Sequence, residues 1–484
     1  MTAKGNGFEE KLKSYIQEEK AATDLIRCIS SAWLDKSVEL IIFRHQLIDR
    51  SVSEILNLHQ YAREIIKQPI HITDTLGLTQ ELLKLDLAPA KIDIGKLAGE
   101  YLEVKDKTAI TDFVADKFAN FIGRDKTTFK PKDVILYGFG RIGRLLAREL
   151  ITQAGRGEQL RLRAIVTRSN SDADIIKRAS LFRVDSVHGP FPGTIIEDLE
   201  NKSLIVNGHT IQMLAADSPA DIDYEAAGIS NALLIDNTGA WRDREGLSQH
   251  LKAKGVDKVL LTAPGKGDIP NIVHGVNQQE SDLQNERIFS AASCTTNAIV
   301  PVLKVMQDNL GITSGHIETI HSYTNDQNLL DNYHKKYRRG RSAPMNLVIT
   351  ETGAAKAVAK VLPQLKGILT ANAVRVPTPD VSLAILSLKV NKKVTVEEVN
   401  DIMKDAALKG QLVEQIQYSF SHELVSSDLI GNPCAVVYDS PATIIGESGQ
   451  DIVLYAWYDN EYGYTRQVIR LSKYLSQVRR LTFY

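Results

Sequence analysis

The feature that most constrains this chain is a glycine turn set between an apolar run and a helical one. Val134–Phe139 reads VILYGF, the pattern of a short buried strand, and Arg141–Thr152 has helical periodicity. Between them Gly138, Gly140 and Gly143 spell G-x-G-x-x-G within GFGRIGR. The first glycine permits a tight strand-to-helix turn, and the second lets the backbone approach a pyrophosphate. The third lets helix and strand pack closely, with the helix N-terminus facing the phosphates. A plain glycine-rich turn would match the spacing alone. The strand before and the helix after supply the context that dinucleotide binding requires. Gly138, Phe139, Gly140, Arg141, Ile142 and Gly143 are therefore candidate cofactor-binding residues.

The next strand, Leu160–Arg168, ends without the acidic residue that usually holds a cofactor ribose. Arg168 stands in that place. An arginine there can pair with a 2′-phosphate, or it can be an exposed arginine at a strand end. Ser169 or Asn170 could share the role. Downstream, strands Ala232–Asp236, Lys258–Ala263 and Ile288–Ala291 alternate with helical segments such as Arg244–Lys254, which predicts an α/β fold with a mainly parallel sheet. Beyond Ala298 the strands lengthen and alternate, as in Val381–Val390 and Asp451–Trp457, which predicts an antiparallel sheet with one covered face.

The chain has 484 residues, enough for about three domains. The first ~125 residues read as an all-α module. Asp35–Lys67 has an amphipathic helical pattern ended by Pro69, with further helices at Thr79–Leu87 and Ile110–Ile122, the last capped by Asp112 or Thr111. The polar, proline-containing stretch Gly123–Asp133 is the candidate linker. The expected division is a helical extension over 1–128, a dinucleotide-binding domain over 132–293 to which 459–484 returns as a C-terminal helix, and a catalytic domain over 294–458. The net charge of −1 argues against wholesale nucleic-acid binding. No apolar run is long enough to cross a membrane, and the N-terminal twenty residues have no signal-peptide pattern, so a cytoplasmic protein is expected. Three cysteines exclude a disulfide framework, and no metal-ligand spacing is present.

Cys294, in SAASCTTN, follows an apolar strand and precedes a helical stretch. A helix N-terminus lowers a thiol's pKa, so Cys294 is a candidate nucleophile, against the alternative of a buried structural cysteine. Cys28 and Cys434 take the structural reading. His321, 27 residues on at the end of a strand pattern, is one of 11 histidines that could serve as its base.

Together these segments resemble the phosphorylating glyceraldehyde-3-phosphate dehydrogenases. YGFGRIGR, DSVHGPFPG, LTAPGKGD, SAASCTTN, HSYTNDQ, TGAAKAVAKVLPQLKG, RVPTPDVS and WYDNEYGY occur in that family's order, from about Lys132 onward. The first ~130 residues lie outside this core resemblance, although long-chain bacterial members are similar there too. The resemblance implies a Rossmann dinucleotide-binding domain and an α+β catalytic domain. It also implies Cys294 as nucleophile and His321 as base. Thr324, Asp326, Arg339 and Arg375 would surround the substrate phosphate, and Ser293, Thr295, Thr352 and Gly353 the attacking phosphate. Thr238, Asn460 and Tyr464 would lie at the cofactor, with Asn460 on the nicotinamide carboxamide. Glyceraldehyde 3-phosphate and inorganic phosphate would be the substrates, in glycolysis or gluconeogenesis, and the assembly a homotetramer. Arg168, with Asn332 and Tyr333 in place of a Leu-Pro pair common in NAD-specific members, implies that NADP is accepted and preferred over NAD. Erythrose-4-phosphate dehydrogenase and a non-catalytic regulatory protein are the alternatives on this scaffold.

Overall fold

The computed structural model describes residues 6–66, 70–123 and 130–484. The chain forms two compact units, one built from 1–131, 154–159 and 478–484, the other from 132–153 and 160–477. Pro69 and most of the candidate linker lie outside the described residues.

The first unit opens with helix α1 (Asn6–Lys36), a polar-looking segment whose second half carries the apolar residues that the core takes up. Strands β1 (Glu39–Ile42) and β2 (His45–Gln46) follow, then helices α2 (Val52–Ile66) and α3 (Ile72–Lys84). Strand β3 (Ala90–Asp93) leads into α4 (Ile94–Leu102), and α5 (Ile110–Lys117) closes the N-terminal part. The helices dominate, but the all-α expectation needs correction. β2, β1, β3 and the C-terminal strand Leu481–Phe483 form a four-stranded sheet. The Ser37–Ser51 stretch is not helical, because Val38–Phe43 is buried continuously, as a central strand requires. Phe43 and Arg44 then turn the chain at positive φ. α5 is capped at Ala109, not at Thr111 or Asp112.

Asp93 organises this unit. Its carboxylate accepts hydrogen bonds from the backbone N–H groups of Phe43 (2.9 Å), Arg44 (3.3 Å), Gly95 (3.0 Å) and Lys96 (3.1 Å). One side chain thus caps α4 and closes the β1–β2 turn. Arg480 lies 4.5 Å over the Trp33 ring, and a side chain at Gly155 (φ +50°) would meet that ring at 2.8 Å. The segments 154–159 and 478–484 are integral parts of the unit.

The second unit holds two eight-stranded sheets, the second of which counts the short strand Ile444–Ile445 paired beside Asp451–Tyr458. In the first, β4 (Lys132–Tyr137) lies between β5 (Leu160–Thr167) and the strand Ala232–Asp236, all parallel. Parallel strands Val256–Leu261 and Ile288–Ser290 extend one side and His209–Ala215 the other. Two antiparallel strands complete the edge. Helix α6 (Arg141–Thr152) follows the glycine turn. The strand order reverses beside β4, the place where open α/β sheets bind ligands. The second sheet runs Val348–Thr350, Leu369–Val376, Ile312–Ser322, Ser382–Val390, Asp451–Tyr458, Val436–Asp439 and Ile416–Ser419. It is mainly antiparallel, with one face on the long helix Cys294–Leu310 and a shared apolar core. Helix Tyr462–Leu475 packs on α6, but residues beyond Gln477 leave this unit for the first.

Candidate active site

The glycine turn has the conformation its residues imply. Gly138 sits at φ +99°, and a side chain there would approach Thr238 Cγ2 to 3.0 Å. A Cβ on Gly143 would lie 2.5 Å from the Gly138 carbonyl oxygen. Gly140, at the N-cap of α6, faces open space. The turn therefore fits a dinucleotide's pyrophosphate against the backbone and the α6 N-terminus. The Phe139 ring is buried edge-on against Phe182, so only its backbone is available. Thr238 is exposed just past strand Ala232–Asp236, with its hydroxyl on Asp236 (2.7 Å). At the end of β5, Arg168 is exposed and carries no hydrogen-bonded partner among the described residues. Ser169 and Asn170 are already engaged, through the Ser169 carbonyl and the Asn170 amide.

A cavity of about 650 Å³ opens beside the turn. Of the residues expected at a site, Arg141, Ile142, Ser293, Cys294, His321, Thr324, Arg375, Asn460 and Tyr464 line it. Cys294 is the first residue of its helix, and Ser293 caps it by accepting the Thr296 N–H at 3.0 Å. Cys294 Sγ lies 3.7 Å from His321 Nε2. His321 Nδ1 lies 2.7 Å from the Ser322 carbonyl oxygen, which accepts, and 2.8 Å from Arg375 Nη1, which donates; with the hydrogen on Nδ1, Nε2 faces the sulfur as an acceptor. Sheet register sets Arg375 directly beside His321, and its Nη1 donates to the same carbonyl at 2.7 Å.

The electrostatics differ from the expected activated thiolate. Burial pushes the Cys294 thiol up, against the opposing pull of the Arg375 guanidinium. Burial, aided by Arg375, lowers His321 to about 3. Both shifts favour the uncharged forms of the pair, a thiol and an imidazole.

The remaining expected residues stand around this centre. Thr324 Oγ1 donates to Asp326 Oδ1 (3.0 Å), Arg339 pairs with Asp326, and Arg339 Nε donates to Thr350 (3.0 Å). Thr352 and Gly353 open the helix Ala354–Val361, just past the strand that pairs with the Arg375 strand. They do not line the cavity, and neither do Arg339 and Asp326. The Thr295 hydroxyl is buried against Tyr458 OH at 3.0 Å. Tyr464 OH donates to the Ala292 carbonyl (3.0 Å).

Several residues escaped the sequence reading. Ser382 Oγ donates to Asn460 Oδ1 at 2.7 Å while accepting the Ser322 N–H at 3.1 Å. Its single proton thereby fixes the amide, leaving the Asn460 NH₂ as the free end. Arg141 is committed to Asp185 and Glu461. His188 contacts Glu461 (3.0 Å) and Asp380 (3.5 Å), and His188, Asp380 and Asp459 bring their side-chain ligand atoms within 4.8 Å of one another. Asp459 already accepts the N–H groups of Gly431, Glu461 and Tyr462, which leaves a cation little to bind. Among the described residues neither Asp380 oxygen has a partner in hydrogen-bond geometry, His188 Nε2 standing off at 3.5 Å. Burial, and then the charges of Asp459 and Glu461, push the Asp380 carboxyl well up, so a proton meets the excess charge. Asp185, His188, Asp380, Ser382, Asp459 and Glu461 fall inside the quoted segments DSVHG, RVPTPDVS and WYDNEYGY, but only their convergence in space reveals the network.

A dinucleotide fold whose glycine turn opens beside a paired thiol and imidazole defines an oxidoreductase acting on aldehydes through a nicotinamide dinucleotide. Family models agree: residues 132–244 match the glyceraldehyde 3-phosphate dehydrogenase NAD binding domain, and 293–460 match the C-terminal domain of the same enzymes. The chain belongs to the glyceraldehyde-3-phosphate dehydrogenase family. It is 50% identical over 457 residues to a glyceraldehyde-3-phosphate dehydrogenase-like protein of Pseudomonas aeruginosa, covering 94% of this chain and 98% of that one. That match extends into the N-terminal unit. Glyceraldehyde-3-phosphate dehydrogenase of Priestia megaterium is 41% identical over 70% of this chain and 96% of its own length. Glyceraldehyde-3-phosphate dehydrogenase 1 of Bacillus subtilis is 41% identical over 340 residues, 97% of its length. Among the described residues, no helix is long and apolar enough to cross a membrane.

Proposed function

We propose that this chain is a phosphorylating glyceraldehyde-3-phosphate dehydrogenase. It would oxidise glyceraldehyde 3-phosphate with inorganic phosphate to 1,3-bisphosphoglycerate, reversibly. The observation that carries this reading is the Cys294 Sγ to His321 Nε2 approach of 3.7 Å at the wall of the cavity. His321 Nε2 takes the thiol proton as sulfur bonds to the aldehyde carbon, giving a hemithioacetal oxyanion. Arg375 supplies positive charge beside that centre. The nicotinamide, when bound, supplies the hydride acceptor that converts the hemithioacetal to a thioester. Phosphate oxygen then attacks the thioester carbonyl, the carbon–sulfur bond breaks, and the Cys294 thiolate leaves. Asn460 would hold the carboxamide through its free NH₂. Thr324 and Arg375, with Asp326 and Arg339 behind them, would receive the substrate phosphate, and Ser293, Thr295, Thr352 and Gly353 the attacking one.

The free Arg168 guanidinium at the end of β5, with no carboxylate there, supports acceptance of NADP in preference to NAD. A homotetramer in the cytoplasm, where thiols stay reduced, completes the reading. Steady-state oxidation of glyceraldehyde 3-phosphate with and without phosphate or arsenate tests it. An oxidation indifferent to both ions would point to erythrose-4-phosphate dehydrogenase chemistry instead. A kcat/KM far higher with NAD than with NADP would sink the cofactor assignment.

A further inference from the structure

Helix α1 changes character along its length. Its second half buries Ala22, Leu25, Ile29 and Ala32 in the core of the first unit. Its first half, Gly7–Gln17, is exposed throughout. Phe8 is 72% exposed, Leu12 46%, Tyr15 45% and Ile16 42%, and no core cluster among the described residues takes them in. A bare three-turn helix with four large apolar side chains on one side is marginal in water.

Phe8, Leu12, Tyr15 and Glu19 follow the four-three-four spacing of a heptad seam, and Ile16 adjoins it. Lys11 and Glu18, one heptad apart, both flank the seam on the same side. In a parallel pair of such helices, Lys11 would face Ile16 and Glu18 would face Thr23 of the other copy, and no charges would match. In an antiparallel pair, the layer that sets Leu12 against Tyr15 of the other copy also sets Lys11 against Glu18. Two-fold symmetry repeats both contacts. Phe8 then lies over the aliphatic stem of Glu19.

We propose that the first half of α1 is a docking surface for a second copy of this chain, joined as an antiparallel helix pair with Leu12–Tyr15 layers flanked by Lys11–Glu18 ion pairs. This contact lies outside the dehydrogenase residues and does not depend on their proposed activity. It adds a second attachment point to any assembly that the rest of the chain makes, and so raises its avidity.

The test uses full-length chains in a Cys294→Ser background, which removes the reactive thiol. Two differently tagged chains, one L12C and one Y15C, are expressed separately and together, oxidised mildly and separated without reductant. The expected result is a disulfide-linked dimer, joined from position 12 to position 15 by peptide mapping, only in the co-expressed sample. Adding K11E to both chains should lower its yield roughly three- to tenfold, as two surface ion pairs become repulsions. K11E with E18K should restore it. A covalent dimer from L12C alone would mean parallel pairing and overturn the proposal. So would absence of the mixed disulfide, or a yield indifferent to the charge reversals.

Discussion

Each unit buries an aspartate, and the two are treated in opposite ways. Asp93 in the N-terminal unit is fully buried and takes four backbone N–H groups, so its charge is spent on holding β1, β3 and α4 in register. Asp380 in the dehydrogenase unit is 3% exposed, and among the described residues neither oxygen has a partner in hydrogen-bond geometry. Burial pushes both carboxyls up. The difference lies in the partners: a satisfied buried carboxylate is architecture, whereas one without hydrogen-bond partners is left available to a proton. The same division holds for histidines. His59 has Nδ1 on the Ile55 carbonyl and Nε2 on Thr75, both at 2.8 Å, while His321 keeps Nε2 directed at a sulfur.

Substitutions can break this comparison. Cys294→Ser should lower dehydrogenase turnover by roughly 10³-fold or more while leaving the melting temperature in place, since it removes the proposed nucleophile and little packing. Asp93→Ala should do the reverse. Orphaning four backbone donors should cost about 3 kcal/mol of the N-terminal unit's stability, read by amide hydrogen exchange, with kcat/KM unchanged below the melting point. Turnover falling in step with that unfolding would show that the two units are energetically one.

Asp380→Asn imitates the protonated acid. A carboxyl with a raised folded-state pKa contributes stability that is complete below about pH 4 and lost as pH rises through the folded value. The variant should therefore match the parent near pH 4 and gain about 1–2 kcal/mol towards pH 9, measured by denaturant melts across that range. Ser382→Ala should free the Asn460 amide to rotate. KM for the dinucleotide should rise about fivefold, with some loss of hydride-face selectivity on a deuterated substrate. The smallest effect is a shape: kcat/KM should rise with pH from 5 towards the thiol's raised pKa, with no inflection near 6.5, because His321 is held near 3 and stays neutral. A limb at 6.5 would refute the neutral pair.

Much of the dehydrogenase unit was legible because its signals are local. Periodicity gave the bounds of Arg141–Thr152 and Ala232–Asp236 as observed, and the glycine spacing specified its own turn. Cys294 and His321 were brought together by a helix and a returning strand, as their spacing allowed. The N-terminal unit was read less well. A run buried on both faces, such as Val38–Phe43, has no alternation to distinguish strand from helix. The pairing of Leu481–Phe483 with Ala90–Asp93 leaves no local trace at all. Within the site, the Arg375–His321 register and the Ser382–Asn460 bond depend on strands far apart in sequence. The neutral thiol was missed because a helix terminus is visible in a sequence and desolvation is not.

The strand Leu481–Phe483 gives the molecule a clock. It pairs with β3, and Phe483 lies edge-on at 5.1 Å from Phe118, while Lys96 donates to the Tyr484 carbonyl across 388 residues. During synthesis at ~5–20 residues per second, the N-terminal part would wait about 20–80 s for its last strand. Until then β3 presents an open edge. The N-terminal sheet is thus completed only after the dehydrogenase residues have been made, and a nascent chain halted before residue 481 carries an incomplete sheet that a chaperone or protease could recognise.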